Sequence, residues 1–152
     1  MKILACTDGS EHSQKALEKA ALLAEGSKNI DEVAIIYVYD QRHDTYLPYT
    51  SEGSFSAQEM ETHQKMLEEQ KEERKKILLD ASKFFKEKNI KVNTIYKEGH
   101  PAHTIVKVAQ DEEFDIIVIA SEGLSGLKKL FLGSVSNAVI QQAKDCSVLL
   151  VK

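Results

Sequence analysis

The last third of this chain constrains its fold more than any other stretch. Ile116–Ala120 is a short apolar run with no polar residue inside it, and Ser147–Val151 closes the sequence with a second apolar strand. A strand that faces water on one side alternates apolar with polar residues; an unbroken run is the pattern of a strand covered on both faces. Between the two lie a loop with Gly123 and Gly126, an apolar patch at Leu130-Phe131-Leu132, and Gly133-Ser134, which opens a helix running to about Ala143. In α/β proteins a strand followed by a glycine loop and a helix start is a place where phosphates are held. Backbone N–H groups converge there, and the helix dipole favours negative charge.

The spacing sharpens this reading. Gly123, nine residues from Leu124 to Leu132, then Gly133-Ser134 resemble the nucleotide loop of the universal stress protein family, Gly-x2-Gly-x9-Gly-Ser/Thr. The filler Leu-Ser-Gly-Leu-Lys-Lys-Leu-Phe-Leu is similar to that family's as well. Two positions depart from the pattern. Ala120 stands where the first glycine belongs, and its methyl is expected to crowd a backbone that must approach a ligand closely. Glu122 adds a negative charge where a polyphosphate would lie.

The resemblance covers nearly the entire chain and implies one universal stress protein domain over residues 1–152. It implies an α/β fold, adenine nucleotide alpha hydrolase-like: a doubly wound, five-stranded parallel sheet of order 3-2-1-4-5 with helices on both faces. It also implies that Gly123, Gly133, Ser134 and the backbone of Val135 and Ser136 hold phosphates. Cys6, Thr7, Asp8, Val38 and Ala120 complete the site, with Val38 at the position whose backbone meets adenine. The cofactor expected on this basis is ATP, or ADP or AMP. Mg²⁺ would bridge the phosphates, because no carboxylate cage for a resident metal is visible.

The whole chain agrees with such a fold. One domain is the natural reading of 152 residues, with 42% apolar and 29% charged residues. A net charge of −4 gives no field that would draw nucleic acid or an anionic membrane. No apolar run approaches the roughly 18 residues that a membrane span needs, and Thr7-Asp8-Gly9 interrupts the N-terminal apolar run before it could serve as a signal peptide. Cys6 and Cys146 are expected as lone buried thiols in strands, which suits a reducing compartment and a cytoplasmic location.

Taken in order, Lys2–Cys6 reads as a strand and Ser10 as the N-cap of the next helix. Ala16, Ala20, Leu23 and Ala24 form the buried face of that helix, and Gly26 is placed for its C-terminal cap. From the residues alone Asp8 reads as an Asx-turn or helix-cap group; the resemblance makes it a nucleotide contact. Val33–Tyr39 is the second strand, and residues 41–56, with Tyr46 and Tyr49, read as a long loop. A helix from about Ala57 to Lys88 carries a stripe of Leu67, Arg74, Leu78, Ala81 and Phe85 that is thin before Ile77. Its charged first half, with Glu72 set to pair Lys76, should project past the sheet. Lys91–Lys97 is weak strand signal and belongs at a sheet edge; Pro101 then opens another helix. His100 and His103 share a helix-start spacing, but no further ligand beside them completes a metal site.

Three functions are compatible with these residues. The first is a stress-response regulatory protein that binds an adenine nucleotide. The second is a dimeric interaction module of the same family that binds none, which Ala120 and Glu122 favour. The third is an enzyme, and here the nucleophile-elbow, nucleotidyl-transfer and Walker motifs are all missing, leaving slow ATP hydrolysis at most. The apolar strand Ser147–Val151 is expected at a sheet edge, where a second copy would cover it in a homodimer.

Overall fold

The computed structural model describes residues 1–40, 57–122 and 132–152. The chain alternates strand and helix: β1 (Lys2–Cys6), α1 (Glu11–Gly26), β2 (Glu32–Tyr39), α2 (Ala57–Glu87), β3 (Val92–Glu98), α3 (Pro101–Asp111), β4 (Ile116–Ala120), α4 (Ser134–Gln142) and β5 (Ser147–Val151). The strands form one five-stranded sheet of order β3-β2-β1-β4-β5, every neighbouring pair of which is parallel. The order reverses at β1, the first strand, which lies in the middle with β2 on one side and β4 on the other.

Strand periodicity divides the core in two. Ile3, Ala5, Val33, Ile35, Val118 and Ala120 point to one face and pack with Ala16, Leu17, Ala20 and Ala21 of α1 and Leu78, Ala81 and Phe85 of α2. Their neighbours Leu4, Cys6, Ala34, Ile36, Ile117 and Ile119 point to the other, against Ala102, Ile105, Val106 and Ala109 of α3 and Val139 of α4. A central strand has no solvent face to alternate toward, which is why the runs in β1 and β4 are unbroken. The small residues of α1 let its backbone lie close on the sheet, and Ala16, Ala20 and Ala21 are fully buried.

Several local expectations shift by a residue or a partner. Gly26 is the last helical residue of α1, and Ser27 takes the C-cap position. Cys146 lies in the bend before β5 and is half-buried, because the strand begins only where Ser147 pairs with Ile116. In α2 burial begins at Leu78, and Leu67 is exposed, so the expected stripe is buried only in the second half of the helix. Glu72 pairs with Lys75 at 2.7 Å, the i,i+3 neighbour, rather than with Lys76. Residues 41–56, including Tyr46 and Tyr49, lie outside the described residues.

The turn after β1 depends on one glycine. Gly9 has φ +80, and a Cβ built on it would stand 2.6 Å from Cδ1 of Ile77 on α2. A side chain here meets both left-handed backbone strain and a packed helix. Gly9→Ala should therefore cost about 1–2 kcal/mol from the backbone alone, with displacement of Ile77 added. Urea denaturation measures the sum, and a double-mutant cycle with Ile77→Ala should show favourable coupling equal to the contact part.

Candidate functional site

A cavity of about 550 Å³ opens at the carboxyl ends of β1, β2 and β4, within the ~300–1,000 Å³ typical of small-molecule sites. Open α/β sheets bind ligands at this place, where the strand order reverses and the loops on either side diverge. The cavity lies mainly on the α3–α4 face. Cys6, Ile36 and Ile119 line it from the second half of the core, and Pro101 and Ile105 line it from the start of α3.

The β1–α1 turn supplies its polar wall, and each hydroxyl there has an assigned direction. Ser13 Oγ donates to the Ser10 carbonyl at 2.9 Å, so the 3.1 Å contact with Thr7 Oγ1 is donated by Thr7. Thr7 Oγ1 in turn accepts from the Gly9 N–H at 3.2 Å. Ser10 is the N-cap of α1 and accepts from the Ser13 N–H at 3.1 Å. Its own hydroxyl donates to Asp8 Oδ1 at 2.6 Å, and its N–H donates to the same oxygen at 3.0 Å. Asp8 thus forms the Asx-turn expected from its position and also lines the cavity. Its charge is felt across the site: burial, and secondarily the Asp8 carboxylate, push the Cys6 thiol far above its ordinary range.

The opposite wall is the amino end of α4. Gly133 is its N-cap, and no side chain caps the helix. The first-turn N–H groups of a helix have no intrahelical acceptor, so Ser134, Val135 and Ser136 present donors at the positive end of the dipole. All three residues line the cavity. Gly133 is needed for close approach rather than for an unusual φ, which is −57. Its N–H donates to the Ser121 carbonyl at 2.7 Å, and a Cβ there would lie 3.2 Å from that same oxygen. Ser136 Oγ donates to Ser121 O at 3.0 Å, and lies 2.9 Å from the Gly133 carbonyl.

Of the ten residues expected at the site, nine line this one cavity: Cys6, Thr7, Asp8, Val38, Ala120, Gly133, Ser134, Val135 and Ser136. Gly123 lies outside the described residues. Ala120 lines the cavity but packs within the α1-side core and is 7% exposed, so its methyl is a core group as well as a wall. Ser13, Ile36, Pro101, Ile105 and Ile119 also line the cavity without having been singled out. The signal was available. Ile36 shares a strand face with Val38 two residues on, and Ser13, Pro101 and Ile105 lie in the first two turns of helices that follow strands. Glu122 lines the cavity too, and its Oε2 stands 3.8 Å from Nε2 of His12 on α1. Among the described residues no cluster of three or more His, Cys, Asp or Glu could hold a metal, and no helix is long and apolar enough to cross a membrane.

A parallel sheet with a largely apolar cleft and an uncapped helix start at the strand reversal defines a doubly wound α/β protein whose cleft lies where ligands of such folds bind. The chain belongs to the universal stress protein family, whose sequence model matches residues 1–152. It is 37% identical over 151 residues to universal stress protein YxiE of Bacillus subtilis, covering 99% of this chain and 98% of that protein. Among solved structures it is similar to protein MJ0577, with TM-score 0.79 and 31% identity over 99% of this chain and 94% of the other. MJ0577 is a universal stress protein of Methanocaldococcus jannaschii. The fold is also that of a universal stress protein from Archaeoglobus fulgidus solved in complex with dAMP, with TM-score 0.65 and 20% identity over 100% of this chain and 98% of that one.

The two thiols should differ in chemistry. Cys6 is buried at the cavity floor and held protonated, whereas Cys146 is half-buried at the far end of the sheet, its pKa raised less, by burial and then Asp145. With a disulfide reagent at neutral pH, Cys146 should react first and Cys6 slowly or only on unfolding. Mass spectrometry of the modified native protein checks the order.

Proposed function

We propose that this protein binds ATP or a related adenine nucleotide in the cavity and acts as a stress-response regulatory protein. One observation carries the reading: the uncapped N–H groups of Ser134, Val135 and Ser136 face the same cavity as the apolar slot of Ile36, Val38 and Ile105. A nucleotide needs both, a dipole end for phosphate and an apolar bed for the base. Thr7 and Asp8 line the same cavity and would hold the ribose, and Mg²⁺ would come with the phosphates rather than on a cage of its own. The dAMP complex of the Archaeoglobus fulgidus relative supports an adenine nucleotide as the ligand class.

The polar groups favour binding over catalysis. Thr7 and Ser13 are tied into the turn, Ser136 is tied to Ser121, and Cys6 is held as a thiol, so none of the four is an activated nucleophile. A second reading, an interaction module of the same family that holds no nucleotide, is favoured by Glu122 at the phosphate end of the cavity. The mass of small molecules extracted from the purified, denatured protein separates the two. We also infer a cytoplasmic location, supported by the two free cysteines.

Calorimetric titration with ATP tests the site. Gly133→Val should abolish binding while leaving the circular dichroism spectrum intact. The new side chain would push against Ser121 O and part the loop ends, whereas a φ of −57 is one that valine adopts. Unchanged affinity in this variant would refute the placement of the phosphates.

We further propose a homodimer through β5. This strand is the sheet edge beyond β4, and Val148, Leu149, Leu150 and Val151 are only partly buried. An apolar edge of this kind is a template for pairing with a second strand. Light scattering should give twice the 17.0 kDa of one chain. Leu149→Pro, which removes a mid-strand donor, should return a monomer or an unfolded chain.

A further inference from the structure

We propose that Glu122 sets the number of phosphates this cavity accepts, so that a nucleoside monophosphate binds in preference to a free triphosphate. The inference rests on the adenine-nucleotide reading above and concerns the same cavity. Among the described residues that line it, the charged side chains are Asp8 and Glu122, both carboxylates. The positive end of α4 offers a place for one phosphate, with about half an elementary charge to balance it. Glu122 stands directly beside that end. Its Cα is 3.6 Å from where a Cβ on Gly133 would be, and its side chain is about three-quarters buried, with 24% exposed.

The imidazole of His12 faces the Glu122 carboxylate at 3.8 Å, beyond hydrogen-bond range, so it does not lock the oxygen into a neutralising bond. A first phosphate gains the α4 N–H groups. Further phosphates gain no new helix end among the described residues, and the charged side chains that line the cavity there, Asp8 and Glu122, repel them. The apolar part of the cavity is indifferent to phosphate count, so the discrimination falls on Glu122. Asp8 is less suited to the role, because its Oδ1 is engaged by Ser10 in the turn that caps α1.

The test is calorimetry of the full chain with adenosine, AMP and ATP in the presence of a chelator, which keeps divalent cations from masking phosphate charge. The expected result is AMP at least tenfold tighter than ATP, with that ratio narrowing at least threefold in Glu122→Gln. Adenosine affinity should change less than twofold in the variant. Glu122→Ser takes its place if the glutamine variant loses its native circular dichroism. ATP binding as tightly as AMP in the unmodified protein, or a ratio unchanged by both substitutions, overturns the proposal while leaving the adenine site standing. Failure of all three ligands to bind refutes the adenine-nucleotide reading itself, and this proposal with it.

Discussion

The arrangement depends on the backbone of one residue, Ser121, and the two peptide groups that flank it. Its N–H donates to the Val151 carbonyl at 2.7 Å, which holds the end of β5 against the end of β4. Its carbonyl accepts from the Gly133 N–H at 2.7 Å and from Ser136 Oγ at 3.0 Å, which brings the start of α4 back to the strand it follows. Strand, helix and edge strand therefore meet within one residue. Ser121 is itself 9% exposed, so these bonds sit largely away from competing water, where an unmade bond is costly. The close contact allows no Cβ at residue 133 without movement, and the same contact aims the free N–H groups of α4 at the cavity.

The β1–α1 turn answers this wall with a different solution. There one donor of the helix start, the Ser13 N–H, is satisfied by the Ser10 hydroxyl, and the Ser13 and Thr7 hydroxyls are tied into the same turn. One helix start facing the cavity carries a side-chain cap, and the other has none. The two helix starts differ in this way although both follow a central strand of the same sheet. Asp8 is a turn residue and a cavity residue at once.

Membership of the universal stress protein family and the geometry of the cavity rest on different observations. The family similarity extends over the whole chain, while the cavity is defined by where β1, β2 and β4 end. Ala120 and Glu122, the two departures from the family loop, prove unlike in consequence. Ala120 is absorbed into the α1-side core. Glu122 remains in the cavity wall as a charge.

Much of the fold was legible from short-range pattern. Unbroken apolar runs marked β1 and β4 as doubly covered, and the alternation Val92, Thr94, Tyr96 marked β3 as an edge, because side-chain period records how many faces a strand buries. Ser10, Pro101 and Gly133 marked three helix starts, since capping is chemistry within a few residues. The cavity residues that come from one contiguous stretch were legible for the same reason. What sequence left undecided was whatever needs two distant segments to meet. Leu67 obeys the helical stripe yet is exposed, so tertiary packing and not periodicity decided its burial. His12 and Glu122 are 110 positions apart and became neighbours only because β1 and β4 lie side by side. Local periodicity carries no information about which strands are adjacent, and adjacency in the sheet is what placed a second carboxylate in the cavity.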